Sequence, residues 1–153
     1  MLQVGSKVKD FQLQDAQGKT HRLSDYAGKT VVLYFYPKDD TPGCTTQACA
    51  FRDAYEAFRS HDIVVIGISK DSPESHRKFA EKYDLPFILL SDEELEVANQ
   101  FGTWVEKSMY GKKYMGMSRS TFVIDGQGVI VHVFEKASPS SNASDIIDVL
   151  KTI

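Results

Sequence analysis

The chain holds two cysteines, Cys44 and Cys49, with four residues between them. In a reducing compartment a structural disulfide is disfavoured, so a pair this close points to metal binding or to thiol redox chemistry. Cys44 ends the run Pro37-Lys38-Asp39-Asp40-Thr41-Pro42-Gly43-Cys44, and Ala48, Phe51, Tyr55 and Phe58 then recur at helical spacing. This predicts a helix beginning around Pro42 to Cys44, with Cys44 in its first turn. Backbone N–H groups there lack intrahelical partners, and the helix dipole adds roughly half a positive charge. Both stabilise a thiolate, the nucleophilic form of cysteine. Gly43 lets N–H groups approach a ligand with no Cβ in the way. The Thr41 hydroxyl can donate to a thiolate or to a bound oxygen. On position alone, a buried structural cysteine beside two turn residues explains the same pattern.

The elements that carry these residues follow from hydrophobic patterning. Three unalternating apolar runs, at 31–36, 63–68 and 87–90, read as strands covered on both faces. Helical segments lie between and after them. Ser72-Pro73 predicts an N-cap followed by proline at the first helical position, with Phe79 and Tyr83 as an apolar stripe. Ser91-Asp92-Glu93-Glu94 fits a capping box, and Gly102 fits the end of that helix. Asp125-Gly126-Gln127-Gly128 predicts a hairpin between 121–124 and 129–134, and Asp15-Ala16-Gln17-Gly18 suggests another. A Ser-rich loop over 137–142 leads through an N-cap into a last helix carrying Ile146, Ile147 and Leu150. The expected class is α/β, a mixed central sheet with helices on both faces. Right-handed crossovers place the ends of the first two long strands side by side, so Cys44 falls at the sheet edge where ligands gather.

A length of 153 residues suits one domain, 1–153. A domain of this size buries about 70% of the surface its unfolded chain exposes and needs no disulfide or metal to hold its core. Apolar residues make up 42% and the formal charge is −3, so no basic field collects phosphates; nucleic-acid and membrane partners are not expected. Residues 1–7 show no signal pattern and no apolar run approaches ~20 residues, so a cytoplasmic location is the expectation.

Pro37, Thr41 and Cys44 match the pattern Pro-x-x-x-Thr-x-x-Cys, which resembles the peroxiredoxin active site. The longer run from Tyr34 through Thr46, with Ala48-Cys49 and Phe51-Arg52-Asp53 after it, is similar to the Q-type subfamily, the bacterioferritin comigratory proteins. The resemblance covers nearly the whole chain. It implies a thioredoxin-like fold and a hydroperoxide substrate, with no cofactor and no metal. It also implies that Cys44 is the peroxidatic cysteine and Cys49 the resolving one. Pro37, Thr41, Gly43 and Arg119 would line the substrate site. Arg119 lies in the segment 116–125, which is similar to the one carrying the family's active-site arginine. Gln47 stands where many relatives have glutamate. Thioredoxin is the implied reductant, ahead of a glutaredoxin, and the chain is expected to be a monomer or a weak homodimer.

The implied chemistry accounts for these residue types. A thiolate attacks one peroxide oxygen in line with the O–O bond, and charge moves onto the departing oxygen. A preorganised donor on that path is typically worth about 3–4 kcal/mol, and arginine supplies a fixed cationic fork. The sulfenic acid formed then condenses with a thiol, from Cys49 or from another molecule. Five helical residues separate two Cα atoms by roughly 8–9 Å, whereas a disulfide needs ~7 Å or less. If both cysteines are helical, the disulfide requires the helix start to unwind.

Two other readings compete. Cys44, Cys49 and the scattered His21, His61, His76 and His132 do not form a four-ligand zinc pattern, and the histidines are expected on the surface or in strands, His61 near a helix C-terminus. A thiol-disulfide oxidoreductase usually carries Cys-x-x-Cys, which is absent. A redox sensor or interaction domain on the same fold is not excluded by fold alone.

Overall fold

A computed structural model describes residues 1–151. An N-terminal hairpin, β1 (Gln12–Asp15) and β2 (Thr20–Arg22), is followed by a single 3₁₀ turn at Leu23–Tyr26. The chain then runs β3 (Thr30–Phe35), α1 (Pro42–Asp53), α2 (Tyr55–Ser60), β4 (Ile63–Ser69), α3 (Pro73–Tyr83), β5 (Ile88–Ser91) and α4 (Glu96–Phe101). A second hairpin, β6 (Trp104–Met109) and β7 (Lys112–Met117), precedes β8 (Ser120–Ile124), β9 (Ile130–Phe134) and α5 (Asn142–Leu150). Among the described residues, no helix is long and apolar enough to cross a membrane.

Seven strands form one sheet in the order β2-β1-β5-β4-β3-β8-β9. The α/β expectation holds, with β3 an interior strand. It pairs parallel to β4, Phe35 opposite Ile68, and antiparallel to β8, Phe35 opposite Ser120. Alternate residues of β3, with Tyr36 just after it, feed two cores. Val32, Tyr34 and Tyr36 pack with Phe51, Phe58, Phe79 and Ile146 on one face; Val31, Leu33 and Phe35 pack with Val97, Phe101 and Phe122 on the other. Helices therefore cover both faces, and full burial of each large side chain contributes about 1.5–3 kcal/mol.

The expected strands, the two hairpins and the last helix are all present. Ser72 caps α3, accepting from the Ser75 N–H at 3.2 Å, and His61 is the C-cap of α2. Three local expectations change. Ser91 ends β5 and does not begin a capping box; Asp92 instead reaches into α4, its carboxylate accepting from the N–H groups of Val97 at 3.2 Å and Ala98 at 2.7 Å. Ser141 is the N-cap of α5, but its side chain makes no capping bond. The hairpin β6–β7 was not anticipated. It turns through Tyr110 and Gly111, both at positive φ, without the Asn-Gly or Asp-Gly signature of that turn, and most of β7 is exposed, Tyr114 and Met115 included.

The tightest backbone approach is at Gly67 in β4. A Cβ there would lie 2.8–2.9 Å from the ring and hydroxyl of Tyr34, which is buried and stacked on Phe51 with centroids 4.6 Å apart. Overpacking of this kind costs about 1–3 kcal/mol. Gly67→Ala should therefore lower the thermal midpoint by about 2–10 °C in a chain of this size; an unchanged melting curve would show that Tyr34 yields freely.

Candidate active site

The helix carrying both cysteines starts where the sequence places it. Pro42 is the first residue of α1, so Cys44 sits in the first turn, 2% exposed. Thr41 is the N-cap, yet its side chain caps nothing in the helix. The first-turn N–H groups of Gly43 and Cys44 thus stay available toward the sulfur. No acidic residue lies in that turn to cancel the helix dipole.

The two aspartates just before the helix are drawn away from it. Asp40, at φ 56, accepts from Lys82 Nζ and from the Tyr83 hydroxyl, each at 2.8 Å, and these bonds hold its carboxyl below the usual range. Asp39 is buried. Its carboxylate meets His76 Nδ1 at 2.7 Å, the Ser75 hydroxyl at 2.8 Å and the Tyr36 hydroxyl at 2.5 Å. The Asp39 N–H donates to Asp71, which also accepts from the Ser69 hydroxyl. His76 corrects the expectation of surface or strand histidines: it is fully buried on α3, its Nε2 3.0 Å from the Leu90 carbonyl oxygen. Asp39, Asp71 and His76 bring three ligand-type atoms within 4.8 Å of one another, but each of these atoms is already engaged in the hydrogen bonds above. The cluster fastens the 37–41 loop to α3.

Arg119 precedes β8 by one residue. Because β8 runs antiparallel to β3, Arg119 stands at the end of β3 from which the cysteine loop departs. Its Nη2 donates to Cys44 Sγ at 3.4 Å and its Nη1 to Gln47 Oε1 at 2.8 Å. Its own carbonyl accepts from the Ala137 N–H at 2.8 Å, which ties the segment to the loop before α5. Gly43 gives the guanidinium room: a Cβ there would lie 3.1 Å from Nη2 and 3.7 Å from Pro139. The sequence-predicted residues Cys44, Gly43 and Arg119 are thus brought together. Thr41 sits beside them, but its hydroxyl donates to the Lys38 carbonyl at 2.8 Å and not to the sulfur. Pro37 is exposed at the start of the loop. Cys49 is half-buried in the same helix, and both thiols are free.

In the sequence Gln47 stands out only for its place where many relatives have glutamate, and its neighbours Asn142, Thr121, Lys107 and Tyr34 go unrecognised as part of the site. Behind Arg119 lies a fully buried polar chain: Gln47 Nε2 donates to Asn142 Oδ1 at 3.1 Å, and the Thr121 hydroxyl donates to the same oxygen at 2.9 Å. Lys107 Nζ donates to the Met117 carbonyl. Burial pushes its ammonium down, Arg119 adds to that, and Cys44 draws it back up. Beneath the helix, burial and then the nearby Asp39 and Cys44 push the Tyr34 phenol well above its usual range, so it stays protonated. No pattern within the sequence links these residues, because each arrives from a different element.

A thiol held against a guanidinium at a helix N-terminus is built to react as a thiolate with an electrophile that leaves negative charge beside the arginine. The comparisons agree with that chemistry. Residues 4–133 match the AhpC/TSA family. A relative named Peroxiredoxin Bcp from Bacillus subtilis is 48% identical over 150 residues, covering 98% of this chain and 96% of the relative. Peroxidoxin BcpB from Mycobacterium tuberculosis superposes with a TM-score of 0.89 at 38% identity, covering 100% of this chain and 99% of that one. The bacterioferritin comigratory protein of Xanthomonas campestris, whose structures address its alkyl peroxide reduction activity, superposes at 0.88 with 34% identity, covering 93% and 90%.

Removal of the guanidinium should expose its contribution directly. Arg119→Met is expected to slow the reaction of Cys44 with hydrogen peroxide by about 100-fold or more, the loss typical of one charge-stabilising donor. Arg119→Lys should recover only part of this, because a point charge cannot hold Cys44 and Gln47 at once. Stopped-flow oxidation measures both, and a wild-type rate in Arg119→Met would reject the role.

Proposed function

This chain belongs to the AhpC/TSA family as a peroxiredoxin of the Bcp/PrxQ kind, and on that premise we propose that it reduces hydroperoxides through a thiolate on Cys44 that is resolved by Cys49. The observation that carries the reading is the shared guanidinium, which touches the Cys44 sulfur with one nitrogen and a buried side chain of the same helix with the other.

The Cys44 thiolate attacks the outer peroxide oxygen. An S–O bond forms as the O–O bond breaks, the sulfur is oxidised to a sulfenic acid, and the hydroperoxide is reduced to an alcohol or to water. Charge leaving the sulfur arrives on the departing oxygen within reach of Arg119 and the N–H groups of Gly43 and Cys44. Thr41 joins by exchanging its bond to the Lys38 carbonyl for one to a peroxide oxygen, with Pro37 forming the rim. The Cys49 thiol then attacks the sulfenic sulfur and releases water, giving the Cys44–Cys49 disulfide.

Both cysteines lie inside one regular helix, so their Cα atoms start roughly 8–9 Å apart and the disulfide needs the first turns of α1 to unwind. Pro42, Gly43, Thr45 and Thr46 make that end of the helix weak. Unwinding also exposes the disulfide to exchange with a dithiol protein, for which thioredoxin is the proposed reductant and a glutaredoxin the second choice. The chain is proposed to act as a single domain over 1–153, as a monomer or weak homodimer. Free thiols suit the reducing cytoplasm.

Steady-state peroxide consumption coupled to thioredoxin oxidation tests the function. Cys44→Ser should abolish turnover, and full activity in that variant would sink the proposal; reduction of insulin disulfides without peroxide would favour an oxidoreductase instead. Hydrogen exchange tests the unwinding. Amides from about 44 to 49 should exchange much faster in the disulfide form than in the reduced form. Equal protection in both forms, with the bond verified by mass spectrometry, would exclude a local unfolding step.

A further inference from the structure

We propose that Asn142 is a positioning residue for Arg119, acting through Gln47, and that the buried Gln47–Asn142 amide pair is the latch that opens before Cys49 reaches Cys44. The proposal rests on the peroxidase reading above.

The polarity of the buried chain dictates how each amide faces. A guanidinium only donates, so Gln47 turns its Oε1 toward Arg119 Nη1. Its Nε2 must then find an acceptor, and the one it meets is Asn142 Oδ1. The Thr121 hydroxyl donates to that same oxygen from β8 and holds it from a second side. The result leaves Asn142 Nδ2 buried with no hydrogen-bond partner among the described residues. Flipping the Asn142 amide would set its NH₂ against the Gln47 NH₂, two donors facing each other with no acceptor between them. The fold thus keeps a buried unsatisfied donor in order to keep an acceptor aimed at Gln47. Such a departure from the usual satisfaction of buried polar groups is expected where a site demands it.

Gln47, Asn142 and Thr121 are all fully buried and all uncharged. The chain therefore orients Arg119 without supplying a counter-charge, and the cation's field remains directed at Cys44. Asn142 touches neither the sulfur nor the substrate position; it acts through Gln47.

Gln47 lies between the two cysteines in the helix that must unwind. When residues 44–49 leave the helix, Gln47 withdraws from Arg119 and from Asn142 together. Arg119 is thus held in place while the helix is wound and Cys44 is ready to react, and is released as the sulfenic acid is resolved. Loosening the latch should slow the first step and speed the second, an opposite pair of effects that simple loss of packing would not produce.

The test measures two rate constants in the full chain. One is Cys44 oxidation by hydrogen peroxide, and the other is Cys44–Cys49 disulfide formation after that. In Asn142→Ala, oxidation should slow by at least about fivefold and disulfide formation should accelerate by a similar factor, as expected for the loss of one buried hydrogen bond. The yield of Cys44 sulfinic acid at matched peroxide should fall. Thr121→Val, which keeps the shape and removes the second donor to Asn142, should shift both constants in the same directions by less, and it decides the matter by those signs if Asn142→Ala does not fold. Wild-type values for both constants, or a fall in both together, overturn the proposal. Wild-type protein that forms neither the sulfenic acid nor the disulfide overturns the peroxidase reading itself; wild-type protein that forms both, beside unaltered variants, overturns only the latch.

Discussion

One guanidinium bridges two side chains of a single helix, and the arrangement around Cys44 follows from that bridge. Arg119 reaches Cys44 in the first turn of α1 and Gln47 one turn further on. It can do so only because β8 lies antiparallel beside β3, so that the start of one strand meets the end of the other. The same bridge explains Gly43, since any side chain there would press on Nη2. It also explains why the helix begins without an acidic residue, because a carboxylate in the first turn would compete with the sulfur for both the arginine and the helix dipole.

Two buried polar systems flank this bridge and differ in kind. On the loop side, Asp39 is fastened to His76, Ser75 and Tyr36, a buried cluster in which one carboxyl group holds three partners and His76 reaches a fourth group, the Leu90 carbonyl. Leaving a buried hydrogen-bonding group without its partner typically costs about 1–3 kcal/mol, and several such bonds converge on Asp39, so the 37–41 loop is a fixed base. On the helix side, Gln47, Asn142 and Thr121 form a neutral chain with one donor left over. A neutral hydrogen bond contributes only about 0.5–1.5 kcal/mol net. The difference suits a site in which residues before Cys44 stay put while residues after it let go. Stability in a folded chain is uneven by such local differences, and here the weak segment is the one that the proposed Cys44–Cys49 resolution step would move.

Where local patterning is strong, the sequence was legible. The three apolar runs, the hairpin around Asp125-Gly126-Gln127-Gly128 and the Ser72-Pro73 helix start all appear in place, because each depends on residues within a few positions of one another. The misses have specific causes. Ser91 looked like a cap because serine precedes an acidic run, but it pairs with Gln14 and Ser69 in the sheet, and Asp92 caps α4 from five and six residues away. The β6–β7 hairpin buries too little to show an alternating pattern and turns through Tyr110-Gly111. His76 gave no sign of burial, because its partner Asp39 lies 37 residues earlier.

The cysteine motif by itself determined where a reactive thiol would sit. Pro37, Thr41, Gly43 and Cys44 are close in sequence, and a helix N-terminus polarises whatever sits in its first turn, so the placement of Cys44 and its separation from Cys49 follow from spacing and helix geometry, while the roles of the two thiols come from the motif's resemblance to the peroxiredoxin pattern. Only the tertiary structure decided what aims the arginine. Cys44 and Arg119 are 75 positions apart, Gln47 and Asn142 are 95 apart, and both pairs meet through the register of β8 on β3 and the packing of α5 against α1. Patterning within one sequence reports which face of an element is buried. It does not report which polar group waits on the other side, because that depends on how separate elements are brought face to face.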